Sequence, residues 1–219
     1  MSNKETPDLQ GWSRNEMASR LAEDIQEGWY VNLGIGLPTL VADHIPSHRD
    51  VVIHSENGIL GVGPRPPTAA ADPWLINAGK QHVTLRPGGA FFNQAESFGM
   101  IRGGHLDLCV LGGYQVAQNG DLANWSLDSD AAPAVGGAMD LAVGAKRVWV
   151  IMDHLAKDGL PRLVTRCSYP VTALGVVGRV YTNFAVFDVG PQGFCVQRIN
   201  PGLTLKDLQK LTGAPFISA

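Results

Sequence analysis

An α/β domain built on an open, largely parallel sheet flanked by helices, with an antiparallel C-terminal section, is predicted by three observations. Short apolar or β-branched runs recur at Val51 to His54, Leu106 to Leu111 and Val148 to Met152, as in strands buried on both faces. Segments with helical character, Phe92 to Ile101 and Ala138 to Val143, separate them. Two further strand-like runs, Thr182 to Val189 and Phe194 to Ile199, flank the hairpin-like connection Gly190-Pro191-Gln192-Gly193.

Taken in order, residues 1–12 are polar and read as a flexible N-terminal tail, and residues 13–219 as one domain. Ser13-Arg14-Asn15-Glu16 forms a capping box ahead of Met17, Leu21 and Ile25 at helical spacing, which predicts a helix over about 14–27 ended by Gly28. Tyr30-Val31-Asn32-Leu33 reads as a strand entering Gly34-Ile35-Gly36, and Pro38 suits the first turn of a second helix. Near the C-terminus, Thr204 and Asp207 cap a short helix carrying Leu205, Leu208 and Leu211, with Gly213 as its stop. Repeats, low-complexity tracts and linkers are absent from the sequence.

Composition narrows the function. With 219 residues, 45% of them hydrophobic, the chain can bury one sizeable core. Its 17 basic and 20 acidic residues give a net charge of −3, without the cationic footprint of nucleic-acid or membrane-surface binding. The polar start lacks the apolar core of a secretory signal and no apolar run approaches a membrane span, so a cytoplasmic protein is expected. Cys109, Cys167 and Cys195 are odd in number, far apart and set in apolar strand-like segments, and are expected as buried thiols rather than a disulfide framework or zinc site.

Glu56, in His54-Ser55-Glu56-Asn57-Gly58, is the leading chemical candidate. It follows an apolar strand and precedes glycine-rich turns, so its carboxylate could attack an acyl carbon with backbone amides near enough to hold an oxyanion. A solvated loop acid is the plainer alternative. Gly34-Ile35-Gly36-Leu37-Pro38-Thr39 has Thr39 where a dinucleotide fingerprint needs its third glycine, leaving only a glycine turn whose amides could meet an anion. Pro46 spoils the metal-binding spacing of His44 and His48, so no metal is expected. Ser55 lacks a nucleophile elbow and Lys80 lacks a phosphate loop. Four segments, at 76–81, 86–92, 120–125 and 135–141, are rich in glycine, amide or basic residues; each could be a tight turn, or they could converge around Glu56.

Six ordered motifs carry a resemblance over about residues 13–217: Asn32-Leu-Gly-Ile-Gly-Leu-Pro38, Ser55-Glu-Asn-Gly58, Leu75-Ile-Asn-Ala-Gly-Lys-Gln81, Met100-Ile-Arg-Gly-Gly-His105, Gly120-Asp-Leu-Ala-Asn-Trp125 and Gly136-Gly-Ala-Met-Asp-Leu141. Together they resemble the B (beta) subunit of 3-oxoacid coenzyme A-transferases. Within that family, Gln81-His-Val-Thr-Leu85, Gly88-Gly-Ala-Phe-Phe92 and Pro133-Ala-Val-Gly-Gly137 look most like the chains acting on 3-oxoadipate and succinyl-CoA, with acetoacetate-type transferases next. The sequence departs from the pattern at Asn183-Phe184, where Asp-Leu or a similar pair is expected.

The resemblance implies Glu56 as nucleophile in a ping-pong cycle through a glutamyl-CoA thioester, with CoA as substrate and no metal or redox cofactor. It also implies the Gly137 amide in an oxyanion hole beside Gly136, Asn32 and Lys80 near CoA, and Asn124 near the pantetheine or acyl segment. A separately encoded CoA-transferase A (alpha) subunit, in an A2B2 assembly, is the implied partner. A dicarboxylic oxoacid calls for a cation at its far end, for which Arg65, Arg86 and Arg102 are candidates, while His105 reads as a packed core histidine. Two other readings stay open: a non-catalytic ligand-binding module of the same fold, and a hydrolase in which water captures the glutamyl intermediate.

Overall fold

The computed structural model describes residues 10–127 and 136–218. Residues 1–9 of the expected tail, and residues 133–135 of the Pro133–Gly137 motif, lie outside the described residues. Residues 10–12 differ from the expectation. Trp12 is buried, its backbone N–H donates to Asn183 O at 2.7 Å, and the Arg20 guanidinium stacks 4.1 Å from its ring centroid.

Five parallel strands form the centre of a ten-stranded sheet: β1 (Tyr30–Leu33), β2 (Val52–Ser55), β5 (Leu108–Leu111), β8 (Val148–Ile151) and β10 (Val177–Tyr181), in the spatial order β10-β8-β5-β1-β2. Beyond β10 come β11 (Ala185–Gly190) and β12 (Gly193–Ile199), antiparallel with Gly190 opposite Gly193, and then β13 (Phe216–Ser218) parallel to β12. The C-terminal antiparallel section is therefore as the sequence predicts.

The opposite edge is a departure. β3 (Ile59–Val62) and β4 (Leu85–Phe91) continue the sheet antiparallel beyond β2, where Arg86 to Phe92 reads as a turn. Glycines and Pro87 hide this strand from a propensity reading, yet proline is tolerated on an edge strand. A three-stranded satellite sheet joins β6 (Gln115–Ala117), β7 (Leu122–Ala123) and β9 (Leu163–Val164) in the order β7-β6-β9.

Side-chain alternation shows why the central strands are apolar throughout. Leu108, Val110, Trp149, Ile151 and Tyr181 enter the core on one face; Cys109, Leu111, Val148, Val150 and Val180 enter the core on the other. Helix α1 (Arg14–Asp24) covers the first face with Met17, Ala18, Leu21 and Ala22. Helices α2 (Gln94–Arg102), α3 (Ala138–Gly144) and α4 (Leu205–Leu211) cover the second through Ile101, Leu141 and Leu208. Burying the larger of these side chains, such as Met17 and Leu21 on α1, contributes on the order of 1.5–3 kcal/mol each.

The Ser13/Glu16 capping box starts α1 as expected, and Asn93/Glu96 forms a second box that starts α2. Helix α1 stops at Asp24, short of Gly28, because Arg49 Nη1 donates to the carbonyls of Ala22 and Ile25, both at 2.9 Å. After Pro38 the chain forms a 3-10 helix, Leu37–His44, instead of an α-helix; Gly36 offers no side-chain cap, and its carbonyl accepts from both the Thr39 N–H and hydroxyl. Of the three cysteines, only Cys109 is fully buried. Cys195 is half-buried on β12, and Cys167 is half-buried in a loop where its thiol donates to Asp121 O. His105 is exposed, while the adjacent Leu106 occupies the core position.

Candidate active site

Four neighbouring parallel strands, β8, β5, β1 and β2, end on the same side of the sheet, and their C-terminal residues open a cavity of about 520 Å³. Its wall runs through Ser55-Glu56, Leu33 to Ile35, Leu111 to Tyr114 and Ile151 to Asp153. Open α/β sheets bind ligands at this edge.

Glu56 leaves β2 in a turn that is fixed on three sides. Gly58 N–H donates to Ser55 O at 3.0 Å, and Gly58 adopts φ 109, where a Cβ would collide with Phe92 O. The Ser55 hydroxyl donates to Asn57 Oδ1 at 2.7 Å and accepts from Ala78 N–H at 3.0 Å. Asn57 Nδ2 donates to Ile76 O at 2.7 Å. The Glu56 carboxylate itself makes no hydrogen bond or ion pair among the described residues, and burial raises its pKa above the ordinary glutamate value. A fixed backbone thus presents a desolvated, unpartnered carboxylate to the cavity.

Behind it stands His54, almost completely buried. Asn32 Nδ2 lies 3.1 Å from its Nδ1 and Ser97 Oγ lies 3.0 Å from its Nε2. Since the amide nitrogen can only donate, Nδ1 accepts and Nε2–H donates to Ser97, which fixes a neutral tautomer. Burial pushes the His54 pKa down to about 4. Cys109, whose thiol approaches Asn32 Oδ1, is held above its ordinary pKa by burial and then by the Glu56 charge.

Asn32, Glu56, Asn124, Gly136 and Gly137 all border this cavity. Asn124 shapes its far side: its side-chain Nδ2 donates to Gly112 O at 3.2 Å and its Oδ1 accepts from Thr172 Oγ1 at 2.7 Å. Gly137 caps α3, so its backbone stands at that helix's first turn facing Glu56. Lys80 is not brought into the wall. It is exposed, in a turn from Asn77 to Gln81 whose Ala78 does reach the cavity.

None of the three arginines expected at the acyl end borders the cavity. Arg86 donates to Val51 O at 2.7 Å, Arg102 pairs with Asp140 at 2.8 Å, and Arg65 lines a separate, smaller cavity beside His54 and His82. The cations in the wall, among the described residues, are Arg14 and Arg162, which no local motif marks; they arrive through the N-terminus of α1 and the approach to β9.

A family model described as coenzyme A transferase matches residues 14–210. The chain is 57% identical over 206 residues to the B subunit of 3-oxoadipate CoA-transferase from Pseudomonas putida, covering 94% of this chain and 96% of that one. It is 47% identical over 203 residues to the B subunit of succinyl-CoA:3-ketoacid coenzyme A transferase from Helicobacter pylori, covering 93% and 98%. The fold resembles the YdiF acyl-CoA transferase of Escherichia coli O157:H7 at a TM-score of 0.74 and 21% identity, covering 94% of this chain but 42% of that longer one. Glutaconate coenzyme A-transferase of Acidaminococcus fermentans aligns at 0.71 and 17% identity, covering 97% and 90%. With the family model spanning most of its length and relatives above half identical end to end, the chain belongs to the coenzyme A transferase family.

Proposed function

We propose that this chain is the B subunit of a 3-oxoacid CoA-transferase that moves CoA from succinyl-CoA to 3-oxoadipate, with Glu56 as the covalent nucleophile. The observation that carries this reading is the unpartnered, desolvated Glu56 carboxylate at the C-terminal edge of β2, in a cavity with Gly137 against it. The identity to relatives named for 3-oxoadipate supports the acid chosen, and the succinyl-CoA:3-ketoacid relatives make acetoacetate the runner-up.

Ionised Glu56 attacks the thioester carbonyl, the C–S bond breaks, and a glutamyl-succinyl anhydride forms as CoA leaves as thiolate. The thiolate attacks the glutamyl carbonyl and succinate departs, leaving a glutamyl-CoA thioester. A 3-oxoadipate carboxylate oxygen attacks that thioester and displaces CoA thiolate. The thiolate then takes the oxoacyl group from the second anhydride, regenerating the Glu56 carboxylate. The Gly137 N–H, next to Gly136, is assigned to hold the oxyanion of these tetrahedral intermediates. Asn124 faces the acyl or pantetheine segment. Lys80 meets CoA from outside the cavity. Asn32 faces CoA at the cavity floor, where its amide also holds His54.

CoA enters as a substrate, and this cycle calls on no other cofactor. The complementary A subunit, in an A2B2 assembly, is assigned to close the site: Ile35 in its wall is exposed, as are Met139 and Val143 on α3, the helix whose first residue borders the cavity. No helix among the described residues is long and apolar enough to cross a membrane, and the cycle is assigned to the cytoplasm.

The test is intact-mass and peptide mass spectrometry of the chain paired with its A subunit and given succinyl-CoA. A CoA adduct on the Glu56 peptide, absent in Glu56→Gln and discharged by 3-oxoadipate, is expected. A folded, correctly paired enzyme that forms no adduct overturns the reading and favours a ligand-binding module. Release of CoA without an acceptor acid would favour the hydrolase.

A further inference from the structure

Among the described residues, four with charged side chains border the Glu56 cavity: Glu56, Asp153, Arg14 and Arg162. Arg14 and Asp153 form a pair at 3.5 Å and offset each other. Arg162 forms no ion pair among the described residues. Its backbone is held at both ends, the N–H donating to His154 O at 3.0 Å and the carbonyl accepting from Val116 N–H at 2.9 Å. Its guanidinium makes one long contact, Nη1 to Gly113 O at 3.4 Å, which leaves most of a five-donor fork free. A half-buried arginine that faces a cavity without a carboxylate partner is poised for an anionic ligand.

The topology places this cation across the site from Glu56. Gly113 follows β5, and β5 lies two strands from β2, a lateral separation of about 10 Å from the interstrand spacing. The guanidinium already stands at Gly113, so only the reach of the Glu56 side chain is subtracted, and a short extended acyl chain fits the remainder. The Ala78–Lys80 turn packs on the opposite flank, where Ala78 N–H meets Ser55. A thioester entering from the Lys80 flank therefore directs its acyl group toward Arg162 and its phosphates away from it.

We infer that Arg162 binds the distal carboxylate of a dicarboxylic acyl group attached at Glu56, and so selects dicarboxylic over monocarboxylic 3-oxoacids. This rests on the reading of Glu56 as the nucleophile. Arg162 is here a specificity residue, and its contact with Gly113 O orients the guanidinium toward the ligand.

The experiment uses the paired enzyme carrying wild-type, Arg162→Gln or Arg162→Lys chains. Each is first loaded as the glutamyl-CoA thioester with acetoacetyl-CoA, a monocarboxylic donor, and checked by intact mass. A wild-type enzyme that loads with neither acetoacetyl-CoA nor succinyl-CoA refutes the Glu56 reading itself. In loaded enzymes, single-turnover discharge is measured with 3-oxoadipate and with acetoacetate, alongside CoA affinity and melting temperature. Arg162→Gln is expected to lower the preference for 3-oxoadipate over acetoacetate by about tenfold or more, with Arg162→Lys recovering part of it and CoA affinity unchanged. An equal fall for both acids would reduce Arg162 to a support for the Gly113 loop. A parallel loss of CoA affinity would assign it to the phosphates, and an unchanged preference would leave it no role in selection; each of these outcomes overturns the inference.

Discussion

Glu56 Oε2 lies 3.2 Å from the point at which a Cβ would stand on Gly137, with the Phe98 ring 3.0 Å from that same point. The Gly137 backbone, at φ −80, would accept alanine without strain, so the effect of a methyl group there is steric and local. Either the carboxylate or the ring must move. The shift needed is a few tenths of an ångström, so Gly137→Ala is expected to slow CoA-adduct formation by up to about tenfold, less than the roughly 100-fold of a 1 Å misplacement, while shifting stability by less than about 1 kcal/mol. Adduct formation at the wild-type rate would remove Gly137 from the reacting centre.

Burial raises the Glu56 pKa, and the sign of the consequence differs for activity and stability. In the proposed cycle the ionised form of Glu56 is the nucleophile, so the rate of adduct formation should fall with decreasing pH through an apparent pKa above the ordinary glutamate value. The same buried charge disfavours the folded state at neutral pH and ceases to do so once Glu56 is protonated in both states. Glu56→Gln should therefore be at least as stable as wild type at pH 7, with any gain vanishing in acid, while activity drops by at least on the order of 10⁴-fold. A destabilised Glu56→Gln chain would assign this residue a structural role.

His54 and His154 share a second acid liability. His154 is fully buried between Thr182 Oγ1 and Thr212 Oγ1, each at 3.0 Å, and Thr212 donates its own hydrogen to Leu208 O. Both rings are held neutral with pKa values pushed down to about 4 by burial. Unfolding lets each take up a proton near its ordinary 6.5, so stability is fully present above that value and is lost as pH falls toward 4. The loss should be up to about 3 kcal/mol per ring. Urea unfolding at pH 7 and pH 4.5 measures it, and a midpoint unchanged between them would contradict the neutral assignment of both rings.

At the end of α1, Asp24 joins the helix to the sheet: Oδ2 accepts from Arg179 Nη1 at 3.1 Å and Tyr181 Oη at 2.8 Å, and Oδ1 accepts from Arg198 Nη2 at 2.7 Å. Tyr181 is fully buried, so removing the carboxylate leaves its hydroxyl without that acceptor beside two guanidinium groups that have lost the same partner. Asp24→Ala should cost about 2–4 kcal/mol, and Asp24→Asn less because the amide oxygen can still accept. Thermal melts of both variants check the order.

What the sequence made legible follows from locality. Ser13 to Glu16 caps a helix through bonds three residues apart, and Leu108 to Leu111 needs only its own composition to read as a doubly buried strand. Glu56 stands out because strand, carboxylate and glycine are consecutive. The edge strand β4 escapes notice because its glycines and Pro87 carry the composition of a turn, although Leu60 pairs with Ala90 across it. Arg14 and Arg162 are invisible for a different reason: 42 and 106 positions from Glu56, they meet its cavity only through the order in which the strands stack. Conversely, Arg86 and Arg102, candidates because a dicarboxylic acid calls for a cation at its far end, are engaged with Val51 O and Asp140.

Lys80 shows how local strain bears on an assigned role. Its φ of 61 is left-handed, flanked by the Lys80 N–H to Asn77 O bond at 2.9 Å that closes the turn, and its side chain is exposed. For a residue with a Cβ this conformation costs about 1–2 kcal/mol relative to an ordinary helical one, and a glycine would hold the turn with less strain. An ammonium proposed at that point for a CoA phosphate would account for a lysine in this conformation. Lys80→Gly is therefore expected to raise stability by about 1 kcal/mol while weakening CoA binding to the paired enzyme about tenfold, and Lys80→Ala to weaken binding equally without the gain in stability. Calorimetric titration with CoA separates the two effects. If both variants bind CoA as tightly as wild type, Lys80 is a solvated turn residue and the phosphate contact falls elsewhere.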